Sequence, residues 1–333
     1  MDNRIGYLDF LRGIAILTVV MGHIIQYNLI GESATSCFNF IYSFHMGFFF
    51  FISGCAASLS SKKNTWNSFL VFVRKKSRQL LLPFIIWGVF IPVIFRDLCL
   101  NDTPSRFILI FRNPDRSAWF LLFLFCIQII FFICCATTSK AKHKYTRVLA
   151  LLLSAPVIVA ILYLKKKLIG SDFTWVIPEY FLLFVLGYIA QASDSLKKFS
   201  IVVPLVGTIV FVFVVPLFDF SESGSTMMRL IKLLASTAFS VTSYTIVRYY
   251  YDVFYTKATI IINYLGTHSL ELYVTQYCII QICISPWLFV SNVNAIPLFV
   301  CVLIVSVPTS FIIIGISSVL KLIPGMQLLL YGK

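Results

Sequence analysis

Two ionisable side chains, Arg12 and His23, lie inside one long apolar segment near the N-terminus, DFLRGIAILTVVMGHI. If this segment is an α-helix, the two side chains project from nearly the same face, about 16 Å apart along the axis. Placing an arginine at the centre of a membrane helix costs at least about 2.5–3.5 kcal/mol on insertion scales. The pair therefore marks a candidate functional site. The alternative is an arginine that extends to the membrane interface and a histidine that packs as a polar core residue.

The two residue types suit different chemical tasks. A histidine takes up and returns a proton near neutral pH, because its reference pKa is about 6.5. His23 is therefore the candidate base, or alternatively a nucleophile that holds a transferred group transiently. An arginine keeps its proton and presents five donors in a rigid fork, so Arg12 suits the anchoring of a carbonyl, phosphate or carboxylate group.

Three further residues are candidates for the same site. Asp9 stands three residues before Arg12, close enough on a helix for an ion pair that would neutralise the arginine. Glu271, in SLELYVTQ, would orient His23 or pair with Arg12 if it is buried, and would be a loop-end acid if the local span begins later. His45 precedes a run of four phenylalanines and either lines a substrate pocket or packs as a core or interfacial residue.

The composition identifies the class of protein. The chain of 333 residues is 59% hydrophobic and 12% charged, whereas soluble domains have about 25% charged residues. Apolar segments of about 20 residues recur along its length. We therefore expect an all-α, polytopic membrane helix bundle that forms a single integral membrane domain over residues 1–333, with no separate soluble domain.

Hydropathy along the chain predicts about ten transmembrane spans. They cover Ile5–Asn28, Phe38–Leu59, Leu80–Phe95, Ala118–Thr137, Val148–Leu164, Thr174–Gln191, Ile201–Leu217, Leu230–Tyr250, Thr267–Trp287 and Ala295–Leu320. Pro156 interrupts the fifth span, and the ninth span is rich in polar residues, so these two have the weakest pattern.

Charge in the loops predicts the orientation. Most of the 27 lysine and arginine residues fall on the side of the N-terminus, and most loop acids fall on the opposite side. The positive-inside rule then places both termini in the cytoplasm, and we expect a multi-pass protein of the bacterial inner membrane. The run Lys165–Lys167 opposes this bias, and the later half would invert if the fifth span were absent.

Two classes of function are disfavoured. The net charge of +14 does not indicate nucleic-acid binding, because most of the cations flank apolar spans, where topology and anionic lipid require them. The nine cysteines lie in or beside apolar segments, with no Cys or Cys/His spacing typical of a metal site. We therefore expect neither a nucleic-acid partner nor a bound metal.

Five segments, in order along the chain, resemble the acyltransferase 3 family of integral membrane O-acyltransferases. RIGYLDFLRGIAILTVVMGHI is similar to the family's first span, in which an arginine and a histidine are separated by ten residues. The other segments, similar to the second span, the basic loop before the third, the fourth span and a late Tyr-Leu-Gly motif, are Phe44–Gly54, Arg74–Trp87, Ser117–Phe125 and Tyr264–Tyr277. The sequence FHM with its aromatic run is closest to sugar or fucose O-acetylases. Gly47 stands where such proteins often have proline, which leaves the local helix bend open.

The resemblance implies a reaction. Family members move an acyl group, usually acetyl from acetyl-CoA, onto a hydroxyl of a cell-surface or lipid-linked sugar. It implies acetyl-CoA as co-substrate rather than a tightly bound cofactor, a carbohydrate acceptor and a lipid bilayer as partners. Acyl transfer to an alcohol needs a base beside the hydroxyl, which fits His23, and a dry cavity would strengthen stabilisation of the oxyanion.

A basic cluster suits the phosphates of the donor. Arg74, Lys75, Lys76 and Arg78 precede the third span on the predicted cytoplasmic side, where coenzyme A resides. Lys75 and Arg78 match the family's pattern of two basic residues separated by two others, with lysine in first place. The alternative is that these charges only set topology or bind anionic lipid.

A function of another class stays open. Intramembrane arginine, histidine and glutamate also mark transport pathways, so a transporter or flippase for a lipid-linked sugar is the main alternative. Transporters commonly contain internal repeats, and we find no convincing repeat between the two halves of this chain. A sensor or scaffold without turnover is the third reading.

Overall fold

The computed structural model describes residues 6–60, 65–91, 118–139, 177–193, 195–253, 256–280 and 294–332, with scattered residues between 107 and 167. Within these ranges the chain is helical and contains no β-strand. This agrees with the all-α class expected from the sequence. Helices are expected in a membrane because they satisfy their backbone hydrogen bonds internally, without water.

The α-helices differ widely in length, from single turns to complete membrane spans. In chain order they are α1 Gly6–Asn28, α2 Glu32–Tyr42, α3 His45–Ser60, α4 Phe69–Lys76, α5 Leu82–Ile85, α6 Trp119–Thr137, α7 Ile177–Ala192, α8 Val202–Val214, α9 Thr226–Tyr250, α10 Lys257–Thr267, α11 Ser269–Ile279, α12 Ala295–Leu320 and α13 Met326–Tyr331. Stretches of π-helix at Ser77–Leu81 and Ile86–Phe90 join α4 and α5 into one helical segment.

Among the described residues, five helices are long and apolar enough to cross a membrane. They are Gly6–Asn28, Glu32–Ser60, Trp119–Thr137, Thr226–Tyr250 and Ala295–Leu320. The protein is therefore an integral membrane protein, while the count of about ten spans stays a prediction. The predicted fifth span, Val148–Leu164, lies largely outside the described residues.

The second span is interrupted where the sequence predicted a continuous helix over Phe38–Leu59. It begins at Glu32 and is divided between α2 and α3 at Ser43 and Phe44. The Ser43 hydroxyl donates to the Phe40 carbonyl at 2.7 Å, and the Ser43 carbonyl accepts from the Ser236 hydroxyl at 3.0 Å. These bonds replace part of the helical ladder at the break. The helix continues through Gly47, so the bend lies before that position.

The third and ninth spans begin earlier than predicted. The third was expected at Leu80–Phe95, yet helix starts at Phe69, because lysine and arginine lower hydropathy while favouring helix. The basic residues before it are therefore helical rather than in a loop. The ninth was expected at Thr267–Trp287, but helix starts at Lys257 and breaks at His268. Polar residues around the break lower the local hydropathy, so hydropathy alone did not predict the apolar helix α10.

The structure divides into two compact units. The first comprises Met1–Cys55 and Ala190–Ser318, and the second comprises Ala56–Ile189 and Val319–Lys333. In the first unit, α1 packs along α10 and also contacts α2, α9 and α11. The C-terminal half of α1 contributes four apolar residues to a core with α2 and α12, namely Val20, Met21, Ile24 and Ile25.

Two glycines allow α1 and α10 to cross at backbone distance. A Cβ atom on Gly13 would lie 2.0 Å from the Ile262 carbonyl oxygen, and one on Gly266 would lie 1.8 Å from the Asp9 carbonyl oxygen. Either separation is far inside van der Waals contact. Small residues at such a crossing are the usual means by which membrane helices approach closely, and here the crossing fixes the part of α1 that carries Asp9 and Arg12.

In the second unit, the C-terminal helix α13, which the sequence did not predict, packs against α5 and its flanking π-helix. The Trp87 indole N–H donates to the Leu330 carbonyl at 2.9 Å, and the Trp87 and Tyr331 rings lie 6.4 Å apart. Gly332, with φ of 65°, lies against the backbone of Arg78, where a side chain would not fit.

Candidate active site

Asp9 and Arg12 form the ion pair expected from their spacing. The Arg12 Nη1 atom lies 2.8 Å from Asp9 Oδ1, one turn earlier on α1. Asp9 is 7% exposed, whereas the Arg12 side chain is 35% exposed. The Asp9 carboxylate thus neutralises the positive charge of Arg12 within the helix. The Arg12 guanidinium is accessible and has further N–H donors besides the one that bonds to Asp9.

Arg248, at the end of α9, is a second arginine near Arg12. Both guanidinium groups lie close enough to the buried Cys55 thiol to interact with it electrostatically. Arg248 donates to the Ala190 carbonyl at 2.9 Å and to the Tyr244 hydroxyl. No role for Arg248 follows from the sequence, because nothing in the sequence shows that α9 carries it into a polar cluster.

That cluster links first-unit residues on α1 and α9 with Gln191, at the end of α7, which also belongs to the first unit. The hydroxyls of Tyr7 on α1 and Tyr244 on α9 both donate to the Gln191 side-chain oxygen on α7, at 2.8 and 2.9 Å. The Tyr7 and Tyr244 rings also meet edge to face at 6.4 Å. The cluster therefore ties the Arg12 end of α1 to its neighbours.

His23 lies in the C-terminal half of α1, partly buried, with its ring 5.9 Å from that of Tyr27. On the helical face between it and Arg12, Ile16 and Val19 are almost fully buried. The ends of this face are therefore accessible while its middle is packed. Buried apolar residues therefore separate the two polar positions on this face of the helix.

His45 has a defined tautomer. Its Nδ1 atom lies 2.9 Å from the Ile41 carbonyl oxygen, and a carbonyl only accepts, so Nδ1 carries the proton and Nε2 carries the lone pair. His45 is 3% exposed, and the Tyr42 ring packs against it at 4.5 Å. His45 and His23 are near enough to interact electrostatically. The two histidines therefore share one region of the first unit.

Lys232, on α9, belongs to the same region. Its ammonium group is also near enough to His45 to interact with it electrostatically, and the side chain is partly buried. No role for Lys232 follows from the sequence. It lies inside the predicted span Leu230–Tyr250, and helix α9, which begins at Thr226, extends one turn further toward the N-terminus.

Glu271 is buried, at 2% exposure, in the first turn of α11. Of the two alternatives drawn from the sequence, the structure therefore favours the buried carboxylate over the loop-end acid. Helix α11 packs against α1, so Glu271 belongs to the same unit as Arg12 and His23.

The basic cluster lies in the second unit. Arg74 and Lys75 are in the last turn of α4, and Arg78 follows in the π-helical stretch; all three are exposed. Residues three or four apart on a helix share a face, so these cations form one charged surface. Exposed guanidinium and ammonium groups in that arrangement are able to bind phosphate.

One family of known proteins matches nearly the whole chain. An acyltransferase domain, that of the acyltransferase 3 family, matches residues 5–315, which is nearly the whole chain. Nodulation protein NolL of Mesorhizobium japonicum is 39% identical over 111 residues, 31% of this chain and 29% of the relative. Nodulation protein NolL of Sinorhizobium fredii is 36% identical over 90 residues, 26% of this chain and 24% of the relative.

The matches to these relatives are partial, because the aligned parts span less than a third of each relative's length. No solved structure matches the chain significantly. The family match, in contrast, includes α1 with Arg12 and His23, the basic cluster and the helices that carry His45 and Glu271. The chain belongs to the acyltransferase 3 family.

Proposed function

We propose that the protein is a membrane O-acetyltransferase that moves an acetyl group from acetyl-CoA to a hydroxyl of a cell-surface or lipid-linked sugar. The observation that carries this proposal is the helical face of α1, which presents an accessible arginine at one end and a histidine at the other. An anion anchor and a base on one rigid element suit a reaction between an anionic donor and an alcohol.

His23 is the proposed base. It shares the face of α1 that carries Arg12, and it is partly exposed, whereas His45 is almost completely buried. Lys232 on α9 is near enough to His45 to interact with it electrostatically, and Glu271 is buried on α11, which packs against α1. We assign Glu271 as the positioning carboxylate for the site, and Asp9 holds the Arg12 side chain in position.

The proposed chemistry balances in one transfer step. His23 takes the proton of the sugar hydroxyl as the hydroxyl oxygen bonds to the acyl carbonyl carbon. The tetrahedral oxyanion then collapses, the carbon–sulfur bond breaks, and the proton passes to the departing coenzyme A thiolate. The products are an O-acetylated sugar and coenzyme A. This route needs neither a metal nor an acyl-enzyme intermediate.

The donor is proposed to arrive from the cytoplasm. The surface formed by Arg74, Lys75 and Arg78 binds the phosphates of acetyl-CoA, and the sugar meets the acyl group from the opposite face of the membrane. We place the protein in the bacterial inner membrane with both termini in the cytoplasm, in agreement with the distribution of lysine and arginine.

The experiment uses acetyl-CoA labelled in the acetyl group, supplied to membranes that contain the protein and surface glycans from the same source. Wild-type protein is expected to transfer label to carbohydrate, and membranes without it are not. A flippase for lipid-linked sugar would change the sidedness of the glycolipid without labelling it. Absence of labelled carbohydrate in both samples would reject acetyl transfer.

A further inference from the structure

Three aromatic side chains of the first unit, Phe38 and Tyr42 on α2 and Phe220 in the loop before α9, form a compact surface, here called the aromatic platform. The Phe38 and Tyr42 rings are stacked, with centroids 3.8 Å apart and planes 25° apart. Phe220 meets both rings edge to face, at 5.0 and 5.1 Å. Phe220 is 38% exposed and the other two are partly exposed.

Hydrogen bonds from three segments hold the platform in place. The Phe220 N–H donates to the Asn39 side-chain oxygen at 3.2 Å, which fastens the loop to α2. The Tyr42 hydroxyl donates to the Gln26 side-chain oxygen at 3.0 Å, which fastens α2 to the end of α1. A rigid surface of this kind loses little conformational entropy when a ligand binds.

The platform adjoins the two histidines. The Tyr42 ring packs against His45 at 4.5 Å. A Cβ atom on Gly22, the residue before His23, would lie 3.0 Å from the Tyr42 ring. A ligand resting on the platform would thus be next to His45 and to the part of α1 that carries His23, whereas an aromatic residue that only anchors a protein to the lipid interface needs no contact with the reaction site.

Polar groups surround the rings. Asn39 and Gln26 have side-chain amides beside them, and Asp219 directly precedes Phe220. Hydrogen bonds from the backbone and side chain of Ser221, and then from Asn39, hold the pKa of the Asp219 carboxyl below its usual value. The aspartate is therefore an ionised acceptor with sites left for further donors.

We propose that the aromatic platform is the acceptor subsite, on which one C–H face of a pyranose ring stacks while Asp219 and Gln26 bond to its hydroxyls. Sugars present an apolar face of ring hydrogens and an edge of hydroxyls, and this surface offers flat rings bordered by amide and carboxylate groups. The inference rests on the proposed function, since it names the part of the site that would hold the sugar.

The test measures sugar binding without any donor. Purified protein in lipid nanodiscs is mixed with a panel of methyl hexopyranosides and methyl deoxyhexopyranosides, and magnetisation transfer from protein to ring protons is recorded, with glycerol as the acyclic control. We expect at least one pyranoside to bind and Phe220→Ala to weaken that binding about tenfold. Phe213→Ala is the matched control, because Phe213 is 73% exposed and lies on α8, outside the platform. It should bind like wild type.

Two further variants, Asp219→Asn and Gln26→Ala, test sugar binding at the platform if Phe220→Ala fails to fold. Both positions are polar and accessible, and each variant should also weaken pyranoside binding while leaving the protein monodisperse. In a transfer assay the same variants should raise the KM for the sugar acceptor and leave the KM for acetyl-CoA unchanged. That split is not expected of a general loss of structure.

Two results would overturn the platform as an acceptor subsite. One is binding in Phe220→Ala and Asp219→Asn equal to that in Phe213→Ala; the other is a wild-type protein that binds no pyranoside. Reduced membrane insertion of Phe220→Ala with unchanged sugar binding would identify a lipid anchor instead. These results differ from a failure of the proposed function. A protein that binds pyranosides at the platform but transfers no acetyl group would confirm the sugar subsite and reject the acetyltransferase activity.

Discussion

At His45, one carbonyl oxygen decides which ring nitrogen is available. The bond from Nδ1 to the Ile41 carbonyl leaves the lone pair on Nε2, so His45 has the tautomer of a base although it is more deeply buried than His23. His23 is near enough to His45 to interact with it electrostatically. The assignment of the base therefore depends on their separate replacement.

Replacement of His23 by alanine should leave an inserted, abundant protein and lower acetyl transfer about 10²-fold or more, because general base catalysis contributes that much. The measurement is the initial rate of label transfer at equal protein amount. His268→Gln is the control, because His268 bonds to Tyr264 and Thr267 at the break between α10 and α11. Near-normal activity of His23→Ala together with loss in His45→Ala would move the base to His45.

Replacement of Arg12 by lysine separates charge from geometry. Lysine keeps the positive charge and is able to pair with Asp9, but it lacks the planar fork, so Arg12→Lys should fold normally and lose most activity if the contact with the donor is bidentate. Thermal stability and transfer rate are measured on the same preparation. If Arg12→Lys is fully active while Arg12→Leu unfolds, Arg12 is a structural partner of Asp9.

The sequence predicts residue pairs on one helix better than pairs between helices. The ion pair between Asp9 and Arg12 follows from a spacing of three on a helix. The positions of Lys232 near His45 and of Arg248 near Arg12 depend on how α9 packs against its neighbours. No spacing within a single segment contains that information.

At the scale of elements, the crossing of α1 and α10 should tolerate no side chain at its glycines. Gly13→Ala and Gly266→Ala each place a Cβ about 2 Å from a carbonyl oxygen, so the helices must separate, at a cost of about 1–3 kcal/mol or more. Both variants should lower the midpoint of thermal aggregation in detergent. Gly315→Ala is the matched control, because no atom lies within 4 Å of its added Cβ. Equal midpoints for all three variants would contradict this tight crossing.

Prediction of the elements succeeded where the segment was uniformly apolar. The span Ala295–Leu320 has the boundaries that hydropathy predicts, although Pro308 lies inside it. The prediction failed at α10, where polar residues near His268 obscure an apolar segment, and at α4, where lysine and arginine continue the helix. Hydropathy measures transfer to lipid, while helix formation also depends on propensity and packing.

At the scale of the whole molecule, the distribution of charge predicts the sidedness of the loops. Cysteine introduced at Ser60, at the end of α3, should be protected from an impermeant reagent added outside the cell, and cysteine at Ser221 should be labelled. Both are made in a background without native cysteines, and lysed cells provide the control for reactivity. Labelling of the cysteine at position 60 from outside would contradict the predicted topology.

The most direct test of the proposed function is acetyl transfer from a donor on the cytoplasmic side to a sugar on the opposite side. Labelled acetyl-CoA is added to sealed inside-out vesicles, which expose the cytoplasmic face and enclose the carbohydrate acceptor. We predict that wild-type inside-out vesicles label the enclosed carbohydrate without permeabilisation. Vesicles with His23→Ala should do so about 10²-fold more slowly. Intact right-side-out vesicles should use no external acetyl-CoA. Use of acetyl-CoA only by right-side-out vesicles, or equal labelling with His23→Ala, would contradict it.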